Sequence, residues 1–173
     1  RVGINTTEPQ AMLHVKDSSV LFTGATTLPA SPGNPPVSGP GTRLMWYSDK
    51  AAFRVGTADG TQWDKANIGV NSIAMGFTTT ASGNYSTAMG STTTAPGHFS
   101  TAMGSSTTAS GDFSTAMGSS TTASGDLSTT MGNHTTASGF NSTAMGNFTT
   151  TSGASSTAMG AGSTAAGNLS TAM

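Results

Sequence analysis

The chain is poor in the residues on which most compact domains and many functional sites depend. It has no cysteine among 173 residues, and charged side chains make up only 8% of it. Disulfide bonds and thiolate metal sites are therefore excluded. All six Lys and Arg residues precede residue 71 and the net charge is −1, so there is no basic patch suited to nucleic acid. No apolar run reaches the ~20 residues of a membrane helix, so no membrane contact is expected within this chain.

What the chain has instead is a fourteen-residue repeat. Its consensus is Phe/Tyr/Leu-STAMG-x-x-TTASG-Asp/Asn, intact at residues 99–112 and 113–126. Seven full copies fill residues 71–168, and an eighth begins at Leu169. A repeat this short and regular predicts a quasi-one-dimensional stack of similar coils. It indicates a spacer or display surface rather than an enzyme with a pocket.

The repeat favours short strands over helices. Ser, Thr and Gly dominate, and apolar residues do not recur at helical spacing. We number the repeat from its aromatic position, so that Phe99 is place 1 and Asp112 is place 14. Strands are predicted at places 1–5 and 9–12, with glycines of positive φ at places 6 and 13 forming the corners. The predicted fold class is all-β, a parallel β-roll or solenoid with two short strands per fourteen-residue coil.

Strand alternation sorts the side chains into two faces. Places 1, 3 and 5 point to one side and places 2 and 4 to the other, and the larger set is predicted to fill the coil. The predicted roll core comprises Met75, Met89, Met103, Met117, Met131, Met145, Met159, Phe99 and Phe113. The predicted inter-chain strip comprises Ala88, Ala102, Ala116, Ala144 and Ala158. Because so thin a core rarely folds alone, a partner chain is expected.

The sequence NSIAMG at residues 71–76 resembles the Ser-Val-Ala-Ile-Gly head repeat of the YadA-like trimeric autotransporter adhesins. The resemblance covers residues 71–173 and recurs eight times. It implies a left-handed parallel β-roll of fourteen-residue coils and a homotrimeric fibre. The chain departs from the family pattern in having Thr at place 3 of the later copies and Met at place 5.

Residues 1–70 are different in composition. The sequences VGINTTEP and AMLHV resemble a VGIGTxxPxAxLHV block of bacterial surface and tail-fibre-like proteins. We expect an N-terminal β block at 1–28, a Pro/Gly-rich linker at 29–42 and a β-hairpin cap at 43–70, followed by the roll at 71–173. Trp46, Phe53 and Trp63 are predicted to plug the end of the roll. The start at Arg1 and the stop within a repeat suggest a fragment of a longer protein.

No catalytic constellation emerges from the sequence. The many serines have no base and orienting carboxylate implied beside them, and the glycines lack the Lys of a phosphate loop. We therefore predict neither an enzyme nor a cofactor or metal site. Three copies of His98 or His134 in a trimer would form a ring able to hold a metal, but a solvated turn histidine is the favoured interpretation.

The predicted function is that of a structural and adhesive fibre segment, extracellular, on a bacterial surface or in the fibre of a virion or injection machine. It would project a repeated surface toward host-cell or environmental ligands. The candidate contact residues lie at the variable places 7, 8 and 14: Phe77, His98, Asn133, His134, Asn147 and Phe148. Two alternatives remain open. One is a tail-fibre segment of a phage or phage-like contractile injection system that recognises a host, and the other is an ice-binding solenoid using the Thr-x-Ser ladder of places 10 and 12.

Overall fold

The computed structural model describes residues 2–7 and 11–173, and within them regular structure is β-strand apart from two short 3-10 turns, Ser48–Lys50 and Lys65–Asn67. The first four strands are β1 (Val2–Ile4), β2 (Leu13–Val15), β3 (Gly41–Tyr47) and β4 (Ala52–Ala58). The longer strands of the coils are β5 (Ile73–Phe77), β6 (Thr87–Ser91), β7 (Thr101–Ser105), β9 (Thr115–Ser119), β11 (Thr129–Asn133), β13 (Thr143–Asn147), β15 (Thr157–Ala161) and β17 (Thr171–Ala172). The shorter ones are β8 (Thr108–Ala109), β10 (Thr122–Ala123), β12 (Thr136–Ala137), β14 (Thr150–Thr151) and β16 (Thr164–Ala165).

The N-terminal block begins with β1 and β2, which pair in parallel. Residues 8–10 of this block lie outside the described residues. The predicted linker, 29–42, has no strand or helix before Gly41, where β3 begins, yet it is held against the cap at two points. The Gly33 amide donates to Asp49 at 2.8 Å, and the Gly39 amide donates to Asp64 at 2.6 Å. The segment is therefore an extended strap attached to the cap rather than a free spacer.

The predicted hairpin is present and is continuous with the roll. β3 and β4 pair antiparallel around the first 3-10 turn, and β4 then pairs in parallel with β5, the first strand of the repeat region. The resulting ten-stranded sheet runs from β3 and β4 through every longer strand to β17. The hairpin thus covers the open edge of the first coil, which would otherwise expose unpaired backbone groups.

The repeats form the predicted parallel solenoid, and each residue pairs with the one fourteen places on. In a complete coil such as the third, β7 occupies places 3–7 and β8 occupies places 10–11. The shorter strands form a second, five-stranded sheet opposite the first. The fold-class prediction is confirmed, but the predicted strand limits are wrong, because the longer strand passes through the glycine at place 6 instead of ending there.

The glycines at place 6 allow neighbouring coils to approach closely. Gly104 has φ +124°, and a Cβ added to it would lie 2.0 Å from the carbonyl oxygen of Gly118. Place 13 is equally crowded, since a Cβ on Gly111 would lie 2.1 Å from the Gly125 oxygen, but its φ is not positive. The left-handed residues at the corners lie at places 1 and 8 instead, as at Phe99 with φ 56°. The positive-φ prediction is therefore right for place 6 and wrong for place 13.

The interior of the roll is filled by small side chains, which reverses the predicted faces. Ala102 and Ala109, at places 4 and 11, are fully buried within their own chain, as are Ser100 and Thr107 at places 2 and 9. The corresponding alanines predicted for the inter-chain strip are also inside the coil: Ala88, Ala102, Ala116, Ala144 and Ala158. A buried alanine offers no surface to another chain, so the predicted strip is wrong.

The residues predicted as roll core lie on the outside. Phe99 and Phe113 are 50% and 56% exposed, and Met75 is 38% exposed. The remaining methionines of the predicted core are half-buried on the outer face: Met89, Met103, Met117, Met131, Met145 and Met159. The physical reason is width, because two short strands joined by tight corners enclose space for Ala, Ser and Thr but not for Met or Phe.

The cap has a different composition from the predicted plug. Trp63 is fully buried there, with Met45, Tyr47 and Ile68, whereas Trp46 and Phe53 face outward. Arg54 lies in register with Ala74, and its side chain occupies the end of the alanine-lined interior.

The Arg54 guanidinium bonds to the backbone that ends the roll. It donates to the Phe53 and Ser72 oxygens at 2.8 and 2.9 Å, to the Ser72 hydroxyl at 2.7 Å and to the Ala81 oxygen at 3.0 Å. Burial lowers the pKa of Arg54 to about 10, so the group stays protonated at neutral pH. The Ser72 and Ala81 oxygens also accept from the Phe53 and Gly69 amides, so Arg54 closes the first coil by adding buried, charge-assisted hydrogen bonds to carbonyl groups that are already paired.

Candidate assembly and contact surfaces

The outer side of the ten-stranded sheet carries an apolar column along its length. We call the outward residues at places 3 and 5 of the coils the methionine face. In that face Met89, Met103 and Met117 pair in strict register, each beside a threonine. The face continues into the hairpin, where Val55 pairs with Met75 and Phe53 pairs with Ile73. One continuous column of half-exposed apolar side chains, flanked by threonines at place 3, therefore runs from the cap to the last coil.

Aromatic rings at place 1 border this face. Tyr85 and Phe99 stack with ring centroids 4.7 Å apart, and Phe99 and Phe113 stack at 4.8 Å, with interplanar angles of 5° and 2°. The ring faces cover one another and the edges remain exposed. Offset stacking of this kind stabilises neighbouring coils by about 1 kcal/mol per pair.

The opposite, five-stranded sheet presents hydroxyl groups. Its place 10 threonines, such as Thr108 and Thr122, pair in register and are half-buried with their side chains outward. Exposed serines such as Ser110 and Ser124 follow at place 12, but Pro96 interrupts that column. The Thr-x-Ser ladder predicted from the sequence is therefore present and faces away from the coil interior.

Four of the six candidate contact residues come together at one corner. His134 and Phe148 stack with centroids 4.7 Å apart and an interplanar angle of 3°. Asn133 and Asn147 precede them and pair in the sheet. All four are exposed, with Phe148 at 61%. We call this group the corner patch, and Phe77 lies apart from it in the first coil.

His98, the sixth candidate, belongs to a chain of hydrogen bonds along place 14. Its Nδ1 accepts from the Asn84 amide at 3.3 Å, and its own amide donates to Asp112 at 2.8 Å. The Asp112 amide in turn donates to Asp126 at 2.9 Å. Each side chain thus supports the corner of the preceding coil, which is turn stabilisation of the Asx kind rather than a ligand site.

Over residues 2–7 and 11–173, no three His, Asp or Glu side chains converge as a metal site would require. In the same ranges, no helix has the length and apolar character needed to cross a membrane.

Comparison with known protein families identifies the family of the repeat region. The family model described as YadA head domain repeat (2 copies) matches residues 68–93, 95–121, 123–149, 137–163 and 152–173, which is more than half of the chain. The chain belongs to the YadA head family. A search of curated proteins finds no match. YadA heads are structural adhesin domains and not enzymes, which supports the adhesin-type repeat predicted from the sequence.

Two features of this YadA head were not found from its sequence. One is the interior column of place 9 threonines, whose hydroxyls have no hydrogen-bond partner within the described residues, as at Thr107 and Thr121. The other is the guanidinium of Arg54 inside the cap. The sequence did contain a feature that indicates which face is inside. Place 4 holds only Ala or Thr, whereas place 1 accepts Asn141 and Ser155 as well as Phe, Tyr and Leu. A tightly packed interior does not accept such a range of sizes.

Proposed function

We propose that the chain is a segment of a homotrimeric surface fibre in which the methionine face of each chain packs against the other two. The observation that carries this is the continuous half-exposed apolar surface on one side of the roll and the hydroxyl-rich surface on the other. Burying what remains exposed of each methionine contributes on the order of 1 kcal/mol, repeated in every coil and every chain. The assembly interface therefore lies on the larger side chains and not on the alanines.

The fibre is extracellular, on a bacterial surface, and its role is to project and to adhere without catalysing a reaction. The corner patch supports adhesion, because His134 and Phe148 occupy place 8, where the other coils carry Ser, Thr or Gly. Exposed rings at those places contribute nothing to the coil interior. Three chains present three copies of the patch, so weak individual contacts add up through multivalency.

The experiment for assembly is the native mass of the whole chain by light scattering. We expect a mass of three chains with β-type circular dichroism. Met103→Asp should abolish the trimer and weaken the β-type circular dichroism, because three carboxylates would be buried close together, whereas Ser105→Asp on an exposed corner should leave the trimer intact. A wild-type protein that is folded at the mass of one chain would refute the fibre.

The experiment for adhesion uses the fluorescently labelled protein on epithelial monolayers and on bare glass. The double variant His134→Ser/Phe148→Ser gives the patch the serines that other coils carry, and Phe77→Ser is the matched control in the first coil. We expect the double variant to lose at least tenfold in cell binding and the control to change less than twofold. Equal losses in both would reject the corner patch as the contact surface.

The two alternatives each rest on one observation. The N-terminal block supports a tail-fibre setting, in which the same trimer would serve host recognition. The in-register threonine column supports ice binding, and it predicts thermal hysteresis that Thr108→Lys/Thr122→Lys would abolish. Freezing-point depression no larger than that of the Lys variant would eliminate ice binding.

A further inference from the structure

The segment that precedes the strap presents three consecutive apolar residues that its own chain leaves uncovered. Val20, Leu21 and Phe22 are 56%, 83% and 71% exposed. They border an open cavity of about 870 Å³ whose other side is formed by the hairpin residues Leu44 and Trp46. Exposed runs of this kind are uncommon on a single soluble chain and mark interaction surfaces.

The cavity lies on the same side of the molecule as the methionine face. Trp46 pairs with Phe53, which pairs with Ile73, and Leu44 pairs with Val55, which pairs with Met75. Each of these rows leads directly into place 3 or place 5 of the coils. The cavity therefore continues the surface through which we propose that the chains pack.

The chemistry of the cavity selects an apolar occupant. Residues 18–42 carry no charged side chain, and Arg43 is the charged residue that lines the cavity. Its guanidinium is already engaged, since it donates to the Gly39 oxygen at 2.6 Å and lies 5.3 Å from the Trp63 ring centroid. The other residues that line the cavity are apolar, so it favours an apolar segment over a charged ligand.

The chain is held on both sides of this apolar run. On one side the Asn5 amide donates to the Ser18 hydroxyl at 2.7 Å, and on the other Tyr47 donates to the Gly33 oxygen at 2.5 Å. The segment between them is presented outward at a defined position. A second copy of the chain carries both the segment and the cavity, so each chain can fill the next in a closed ring.

We propose that residues 20–22 of each chain pack into the hairpin cavity of the neighbouring copy. This apolar clasp rests on the proposed trimer and fixes the relative height of the three chains at the capped end of the roll. That end needs such a device, because the coils repeat every fourteen residues and would pack nearly as well when shifted by one coil.

Disulfide cross-linking tests the clasp. Because the chain has no native cysteine, only the introduced cysteines can form a disulfide bond. The double variant Leu21→Cys/Leu44→Cys is oxidised and run on a non-reducing gel, and each single variant serves as a control. We expect covalent dimers and trimers from the double variant only. In a sample whose native mass is three chains, bonds within one chain, or no bonds, would overturn the clasp and leave the trimer standing. A native mass of one chain would overturn both.

A second measurement reports how much the clasp contributes to the stability of the trimer. Leu21→Ser/Phe22→Ser should raise the concentration at which the trimer dissociates at least tenfold. The control Met12→Ser removes an equally exposed apolar side chain outside the cavity and should change that concentration less than twofold. Equal effects of the two variants would overturn the clasp.

Discussion

Replacing Gly104 by alanine should break the stack of coils at one defined point. Gly104 lies in β7 with φ +124°, a conformation that residues with a side chain rarely adopt. The new methyl group would lie 2.0 Å from the Gly118 oxygen and 2.9 Å from its carbonyl carbon. Both atoms belong to the backbone of the next coil, so no side chain can turn aside to make room.

The size of the effect follows from that geometry. An ordinary contact needs about 3.4 Å between carbon and oxygen, so the two coils would have to separate locally by roughly 1.4 Å. Hydrogen bonds between β7 and β9 would then exceed the range in which they are effective. Losing roughly four of them at about 1 kcal/mol each, with about 1 kcal/mol of backbone strain, predicts a loss of about 5 kcal/mol.

Gly162→Ala is the matched control in the same roll. Gly162 has φ +69°, which places 1 and 8 of other coils adopt with ordinary side chains, and nothing lies within 4 Å of its added Cβ. We expect this variant to lose less than 1 kcal/mol. Urea unfolding followed by circular dichroism compares the two, and hydrogen exchange by mass spectrometry locates the damage. If Gly104→Ala stays within 1 kcal/mol of the control, or if exchange rises equally in all coils, the close-approach argument is wrong.

Three further substitutions test the interior and the corners. Thr107→Val should stabilise the roll by about 1 kcal/mol in urea unfolding, because it removes a buried hydroxyl that has no hydrogen-bond partner within the described residues. Thr151→Val is the control and should destabilise the roll, since the Thr151 hydroxyl donates to Ser142 at 3.1 Å. Arg54→Leu should lower the free energy of unfolding by about 3 kcal/mol, because it removes the hydrogen bonds that the buried guanidinium donates to Phe53, Ser72 and Ala81, and an unchanged urea midpoint would contradict the capping role. Thr92→Gly should raise the thermal midpoint by a few degrees, since a β-branched residue is strained at φ 54°; a lower midpoint would mean that the strain is negligible.

The period of the repeat was enough to predict the coil length, the parallel stack and the register, because each follows from spacing alone. The hairpin at residues 43–58 was also predictable from its alternation and its turn. The assignment of the two faces was not, since alternation shows which residues share a side but not which side is inside. That choice depends on the interior width, which the tight corners at Phe99 and Ser106 determine. The geometry of the corners also distinguishes the candidate contact residues from one another. His98 forms hydrogen bonds that support a corner, whereas His134 presents its ring on the surface.

The reversed faces also explain why a partner is needed. The coil interior holds only alanine with serine and threonine, so a chain that folds alone gains little from burial of large apolar groups. Its methionines and aromatic rings remain on the outside, where the partner chains of the proposed fibre would remove them from water. In that fibre, the stability of the roll and the association of the chains would be coupled. The capping by Arg54 and Trp63 secures one end of a single coil stack, while the large side chains are left for contact between stacks.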